Sequence, residues 1–339
     1  MKIILGLGMA AIVAVSAAYA FSPRHAPHRS ASPDTLSPSR VPVERMLFNT
    51  VARSGSTLVA GGELGMILRS ADEGKSWQPA NIEPRRYAVI TQIVFEGDKL
   101  GMAVGHEGQI LRTDDGGKNW KELAFDKENG EPLMSIARLP SGAWLAVGAF
   151  GRALTSVDDG KTWTKIEIAG AGDKHLNRIV SARDGSRWLI LGERGLVLSS
   201  TDGAKTWSLL PPFYNGSLYG AVQLDDGGWV AYGMRGNAFR AGTDAQSWTK
   251  SEVPVPVSMF GHTKLGDGSL LVVGQGGIVL RSTDGGATFA IVRAGGRAAL
   301  TDIALLSDGS WLLPSDGGML RHEAKPVAAA AAAASGATK

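Results

Sequence analysis

Apolar positions along this chain come in short runs of about four to six residues, closed off by turns rich in Gly, Asp and Ser, a pattern of strands and hairpins rather than helices. One run has a fixed partner. A Gly-x-x-Gly segment leading into an apolar strand reads GELGMILRS from Gly62, GHEGQILRT from Gly105 and GAFGRALTS from Gly148. It recurs as GERGLVLSS from Gly192, GMRGNAFRA from Gly233 and GQGGIVLRS from Gly274. A seventh copy, PSDGGMLRH from Pro314, keeps only Gly317. The second glycines stand at 65, 108, 151, 195, 236, 277 and 317. A period near 40 residues with several short strands per unit is the signature of propeller blades.

A second element follows at constant distance, with the form Ser/Thr-x-Asp-x-Gly-x-x-Trp. It places Asp72 before Trp77, Asp115 before Trp120, Asp158 before Trp163, Asp202 before Trp207 and Asp284 before Phe289. The fourth copy has Ala204 at the usual Gly, the fifth (Thr243 to Trp248) is degenerate, and the seventh is missing. Within one unit the strands read Ile90–Phe95, Gly101–Gly105, Gln109–Thr113 and Trp120–Leu123. The last unit has Leu300–Leu306, Trp311–Leu313 and Met319–His322 but no fourth strand. Arg40–Arg45, just before the first inner strand Met46–Val51, is expected to supply it. The prediction is an all-β fold over residues 40–324: a seven-bladed β-propeller with four-stranded antiparallel blades, its ring closed by an N-terminal strand that hides the sheet edges.

The remaining segments differ in composition. Residues 1–20 combine Lys2, an apolar stretch from Ile3 to Ala18 and the small-x-small site Ala18-Tyr19-Ala20, which predicts a secretory signal peptide and a periplasmic or otherwise extracytoplasmic location. An uncleaved anchor is the alternative, since the apolar stretch nearly reaches spanning length. Residues 21–39 are a Pro/Ser-rich linker, and residues 325–339, with seven consecutive alanines, are expected to be a disordered tail. With 45 Gly, tight turns dominate; with no Cys, disulfides, thiolate metal sites and Cys nucleophiles are excluded. A net charge of +3 without a dense Lys/Arg tract argues against a nucleic-acid partner.

The repeated aspartates Asp72, Asp115, Asp158, Asp202 and Asp284 read as turn devices. Each carboxylate is expected to accept backbone N–H groups one and two residues on, with the aromatic packing over the turn. A residue present in five blades is not one active site. Repetition of Arg69, Arg112, Arg240, Arg281 and Arg321 suggests a structural role between blades. No metal-ligand spacing, nucleophile elbow or phosphate loop is present, so neither a metal nor a cofactor is expected. Glu63, Glu107 and Glu193 lie in equivalent loops and could converge on one face, which keeps a glycosidase or lectin open as an alternative.

The paired units AVGHEGQILRTDDGGKNW (Ala103 to Trp120) and VVGQGGIVLRSTDGGATF (Val272 to Phe289) resemble BNR/Asp-box propellers, and more narrowly the photosystem II stability/assembly factor-like family in its bacterial, non-photosynthetic form. The resemblance spans roughly residues 42–324. It implies a non-catalytic assembly or accessory factor for a membrane protein complex, an RND-type exporter among the candidates; the chain itself is expected to be a monomer. The Asp-box also occurs in sialidases, but their Arg-Ile-Pro segment is absent. The loop face, opposite the Asp-box turns, collects the residues expected to bind a partner: Arg85, Arg86, Tyr87, Arg178, Arg194, Tyr214, Arg235, Phe260, Arg293 and Arg297. Arginine and aromatic side chains on irregular loops are the composition of a protein interaction surface.

Overall fold

The computed structural model describes residues 42–128 and 130–323. The signal, linker and tail assigned to residues 1–20, 21–39 and 325–339 lie outside them. The described chain is a ring of seven sheets, each an antiparallel meander in sequence order. Blade 1 consists of Phe48–Ser54, Thr57–Gly62, Ile67–Ser70 and Gln78–Pro79. Blade 2 is Ile90–Glu96, Leu100–Gly105, Ile110–Thr113 and Asn119–Ala124. Blade 3 is Leu133–Arg138, Trp144–Gly148, Ala153–Ser156 and Thr164–Ile166; blade 4 is Leu176–Ser181, Trp188–Gly192, Val197–Ser200 and Ser208–Leu209. Blade 5 is Leu218–Gln223, Trp229–Gly233, Ala238–Ala241 and Trp248–Lys250. Blade 6 is Met259–Lys264, Leu270–Gly274, Ile278–Ser282 and Ala290–Arg293. Blade 7 is Ala304–Leu305, Trp311–Ser315 and Gly318–His322.

Burial explains the pattern. Second strands such as Trp144–Gly148 and Leu270–Gly274 are buried along their whole length, because each sheet is covered on both faces by its neighbours. Such strands read as continuous apolar runs rather than alternating ones. The core is a set of seams between adjacent blades. Val104 and Ile136 join blades 2 and 3, Val147 and Ile179 blades 3 and 4, and Val273 and Ile303 blades 6 and 7.

Closure of the ring departs from the expected form. Residues 42–46 make turns rather than a strand, and the last sheet has three strands among the described residues. The segment does take the outer place beside blade 7, where Met319 N–H donates to the Val43 carbonyl at 2.8 Å. Two features keep it from pairing further. Pro42 lacks an N–H and accepts from Arg45 N–H at 2.9 Å, curling the chain, and Gly318 passes so close to Glu44 that a Cβ would sit 2.5 Å from its carbonyl. The seam between blades 7 and 1 is completed by side chains: Asp302 Oδ2 accepts from Val51 N–H at 3.0 Å, and Thr301 Oγ1 donates to the Phe48 carbonyl at 2.6 Å. One addition was not read from the chain. Asn81–Glu83, leaving blade 1, pairs in parallel with the outer strand of blade 2 as a fifth strand.

Candidate functional site

The Gly-x-x-Gly segments are tight turns between the second and third strands, 3₁₀ in blades 1, 2, 3, 5 and 6 and a plain turn in blade 4. Their two glycines are fixed by close approach. A Cβ on Gly148 would lie 2.0 Å from the Pro132 carbonyl oxygen, and one on Gly151, at φ +69°, 2.1 Å from the Gly172 carbonyl. Only the two middle positions are free, and the second forms the apex. The apices are Leu64, Glu107, Phe150, Arg194, Arg235 and Gly276, and the five non-glycines have φ between +52° and +56°. Holding an L residue there costs about 1 kcal/mol each. Phe150 is 61% exposed and Leu64 51%, so these turns display large apolar side chains beside the exposed Arg194 and Arg235 of blades 4 and 5.

The expected partner-binding residues divide into three groups. Arg85, Tyr87, Arg194, Arg235 and Arg297 are exposed on the loop face, Tyr87 at 74%, with the Arg85 guanidinium 5.9 Å from its ring. Others are tied down there. Arg86 forms a forked ion pair with Glu122 (3.0 Å) and lies over the Phe125 ring (4.4 Å). Tyr214 donates its hydroxyl to the Met234 carbonyl, and Arg293 donates to the Gly277 carbonyl. The third group is not on loops. Phe260, half-buried in the first strand of blade 6, packs 5.3 Å from Tyr219, and Arg178 sits in the first strand of blade 4 on the axial channel.

The channel wall carries two belts. Every first strand of blades 1 to 6 has a β-bulge at its second residue. Where that residue is polar it bonds the next blade: Asn49 to the Ile90 carbonyl (2.9 Å), Thr91 to Leu133 (2.6 Å) and Asn177 to Leu218 (2.8 Å). The following residue accepts from the next blade's backbone, as Gln92 does from Ile136 N–H (2.8 Å) and Ser135 from Ile179 N–H (3.0 Å). Blades 4, 5 and 6 have Arg178, Gly220 and Gly261 at that place.

Here one seam differs from the rest. Between blades 5 and 6 the aliphatic pair is replaced by Tyr232 and His262, with the hydroxyl 2.6 Å from Nδ1. Gly220 makes the room, since a Cβ there would sit 2.3 Å from that hydroxyl. Burial pushes the Tyr232 hydroxyl well above its ordinary range. Burial, with Arg178 and Lys264 nearby, pulls the His262 imidazole down to about 3. Burial also raises the Asp302 carboxyl, against its bond from Val51 N–H and the field of Arg178. Tyr232, His262 and Asp302 were not singled out as site residues. Their signal is faint: a Tyr within the buried run Trp229–Gly233, and a His where blades 2, 3, 4 and 7 carry Ile.

The Asp-boxes are turns on the opposite face, with one correction to the expected bonding. The carboxylate reaches four residues on: Asp158 Oδ1 accepts from Thr162 N–H (2.9 Å) and Oδ2 from Thr162 Oγ1 (2.7 Å). Asp72, Asp115, Asp202 and Asp284 repeat this on Ser76, Asn119, Thr206 and Thr288. Trp77, Trp120 and Trp163 donate Nε1–H to the carbonyl three residues back, whereas Phe289 has only its packing to contribute. Hydrogen bonds from Ser76 and Thr288 hold Asp72 and Asp284 at about 2. The repeated arginines divide. Arg112 and Arg321 cross to the Asp159 and Glu73 carbonyls of the next blade, while Arg281 stays with Asp267 of its own. Glu63 and Glu193 are held against their own blades, accepting from Leu47 and His175 N–H at 3.1 Å, and Glu107 stands at an apex; they do not form a matched set. Among the described residues, no three His, Cys, Asp or Glu gather as a metal site.

With this geometry in hand, the similarities fall into place. Residues 87–250, covering blades 2 to 5, match the family described as photosynthesis system II assembly factor YCF48. No curated protein matches the chain in sequence. Among solved structures, one described as YCF48 bound to D1 peptide is 16% identical with a TM-score of 0.65, covering 84% of this chain and 94% of its own. YCF48 from Cyanidioschyzon merolae is 17% identical, with a TM-score of 0.66 over 83% and 96%. A streptogramin B lyase superposes as well, at 14% identity and a TM-score of 0.69 over 83% and 95%. At these identities the likeness is one of fold, and that fold is shared by binding proteins and an enzyme alike.

Proposed function

The chain is a propeller of the YCF48-like BNR family, and on that premise we propose that it is a non-catalytic, extracytoplasmic scaffold that binds a segment of a membrane protein complex and assists its assembly. The carrying observation is the loop face. Three consecutive apices, Phe150, Arg194 and Arg235, are exposed on a rigid ring, and Tyr87 projects from a neighbouring connection. Strained backbone that displays aromatic and guanidinium groups is the composition of binding hot spots. Support in kind comes from the relative bound to D1 peptide, a propeller of the same fold holding a protein segment. An RND-type exporter is the partner class put forward for this chain, with the protein acting as a monomer in the periplasm.

The test is recovery of partners from gently solubilised membranes with the tagged full chain. Wild type is expected to retain a membrane protein complex, and Arg194→Glu with Arg235→Glu to lose it while melting normally. Failure of wild type to retain any membrane protein would sink the proposal.

A further inference from the structure

A second surface lies on the rim of the ring, between blades 5 and 6. In blade 2 the outer strand is covered. Asn81–Glu83, arriving from blade 1, pairs with it in parallel, and Asn81 N–H donates to the Lys118 carbonyl at 2.9 Å. The chain arriving at blade 6 begins the same ladder in the same register: Asn81 lies opposite Asn119, just before Trp120, and Glu252 lies opposite Thr288, just before Phe289. Glu252 N–H donates to the Ala287 carbonyl, and Phe289 N–H donates to the Glu252 carbonyl, both at 2.9 Å. Two residues on, where blade 2 has Glu83, blade 6 has Pro254, which has no N–H to give the Phe289 carbonyl, and the ladder ends. Phe289 N–H points outward to Glu252, so the alternation of a strand puts the Ile291 N–H on the same open edge. The outer strands of blades 1, 3, 4 and 5 have two or three residues, a length that blunts an edge. Ala290–Arg293 has four, and it exposes Ile291 (43%) and Val292 (40%). A cavity of about 600 Å³ opens where the two chains part, lined by residues 252–256 of the arriving chain and by Thr288 and Phe289. Its charged walls are Lys250 and Arg235 against Glu252, and Lys250 has no ion pair among the described residues.

We propose that this edge binds an extended acidic segment of a partner protein, which carries on from Glu252 the strand that Pro254 interrupts. The segment's main chain donates to the Phe289 carbonyl and accepts from the Ile291 N–H. Its apolar side chains cover Ile291 and Val292, and its carboxylates face Lys250. In strand addition the main-chain bonds supply affinity, and the side chains beside the edge choose the sequence; here the excess of positive charge chooses acidic ones. The rim site uses neither Phe150 nor Arg194, so it stands or falls apart from the loop-face reading.

The experiment adds to the full chain a short labelled peptide of alternating valine and glutamate and, separately, its valine and lysine counterpart, following binding by fluorescence anisotropy and exchange of the Ile291 amide by NMR. Saturable binding of the glutamate peptide is expected, with the Ile291 amide protected and the Leu209 amide, on the outer strand of blade 4, unchanged; the lysine peptide is expected not to bind. Ile291→Pro removes the outward N–H and is expected to abolish binding at an unchanged melting temperature. Lys250→Glu is expected to weaken binding at least about fivefold, and Lys165→Glu, on the outer strand of blade 3, to leave it unchanged. A glutamate peptide N-methylated at alternate residues, which loses the same main-chain bonds from the other side, keeps the test decisive if Ile291→Pro folds poorly. The proposal is overturned if the glutamate peptide does not saturate, if it binds while the Ile291 amide exchanges as in the free chain, or if the lysine or N-methylated peptide binds as well. Protection of the Ile291 amide that grows with protein concentration in the absence of peptide would give the edge to a second copy of the chain and overturn it too.

Discussion

At the scale of single residues, the Asp-box turns differ in ways that predict stability. The box glycine two residues after the Asp leans on the preceding blade at positive φ: Gly74, Gly160 and Gly286 have φ of +81°, +80° and +78°. Ala204 holds the same place at φ +67°, strained for want of a glycine. Ala204→Gly is therefore expected to stabilise by about 0.5–1 kcal/mol, net of the lost methyl contact. Gly286→Ala should destabilise by about 2 kcal/mol, because the new Cβ would sit 2.2 Å from Cγ2 of the stiff Val230. Chemical denaturation of both variants checks the pair, and equal effects would count against the strain argument. The box aspartates add a pH dependence. Asp72 and Asp284, lowered to about 2 by Ser76 and Thr288, are stabilising above their unfolded value of about 3.9, and that contribution is lost as pH falls through about 2. Melting temperature is expected to drop between about pH 4 and 2, less steeply in the Asp72→Asn, Asp284→Asn double variant.

At the scale of the element, legibility in the sequence followed physical necessity. The Gly-x-x-Gly turn was readable because a Cβ at either glycine meets backbone, as at Gly148 and Gly151, so identity is forced in blade after blade. The bulge in the first strands was invisible. Its residue is Asn49, Thr91, Met134, Asn177, Tyr219 or Phe260, since a bulge constrains backbone and not side chain. That is why Arg178 and Phe260 were expected on loops and occur on the channel wall instead. The loop-face residues Arg85, Tyr87, Arg194, Arg235 and Arg297 were legible because turn chemistry alone fixes which end of a strand they occupy. The Tyr232–His262 pair was not, since it depends on contact between different blades. The belts themselves can be weighed. Asn177→Ala takes from the Leu218 carbonyl the bond it receives across the seam and is expected to cost about 1 kcal/mol. A change in the denaturation midpoint at constant slope would show it, whereas an unmoved midpoint would show that water replaces the amide.

At the scale of the whole molecule, the ring has one seam without a covalent connection. Blades 1 to 7 are chained in sequence, so opening between blades 4 and 5 leaves a tether, while opening between 7 and 1 leaves none. Glu73 concentrates the closure. Its carboxylate accepts from both Nη of Arg53 at 2.9 Å and from Ser307 N–H at 3.1 Å, and its carbonyl accepts from Arg321 at 2.9 Å. Arg53 also reaches the Leu305 carbonyl at 3.0 Å. Asp225 is the matched comparison, pairing with Arg183 and Lys264 on blades 4 and 6 that are already chained through blade 5. Both are solvent-screened ion pairs, so neither contributes much to stability by itself. The consequences differ in place. Glu73→Ala is expected to raise hydrogen exchange selectively in the first strand of blade 1 and in Trp311–Ser315 of blade 7, because weakening the untethered seam favours a locally opened ring. Asp225→Ala should leave those strands protected and change exchange only near its own blades. Equal protection patterns in the two variants would mean that the ring opens at no preferred seam, and that the turns of residues 42–46, with the bond from Met319 to Val43, close it as firmly as a full fourth strand would.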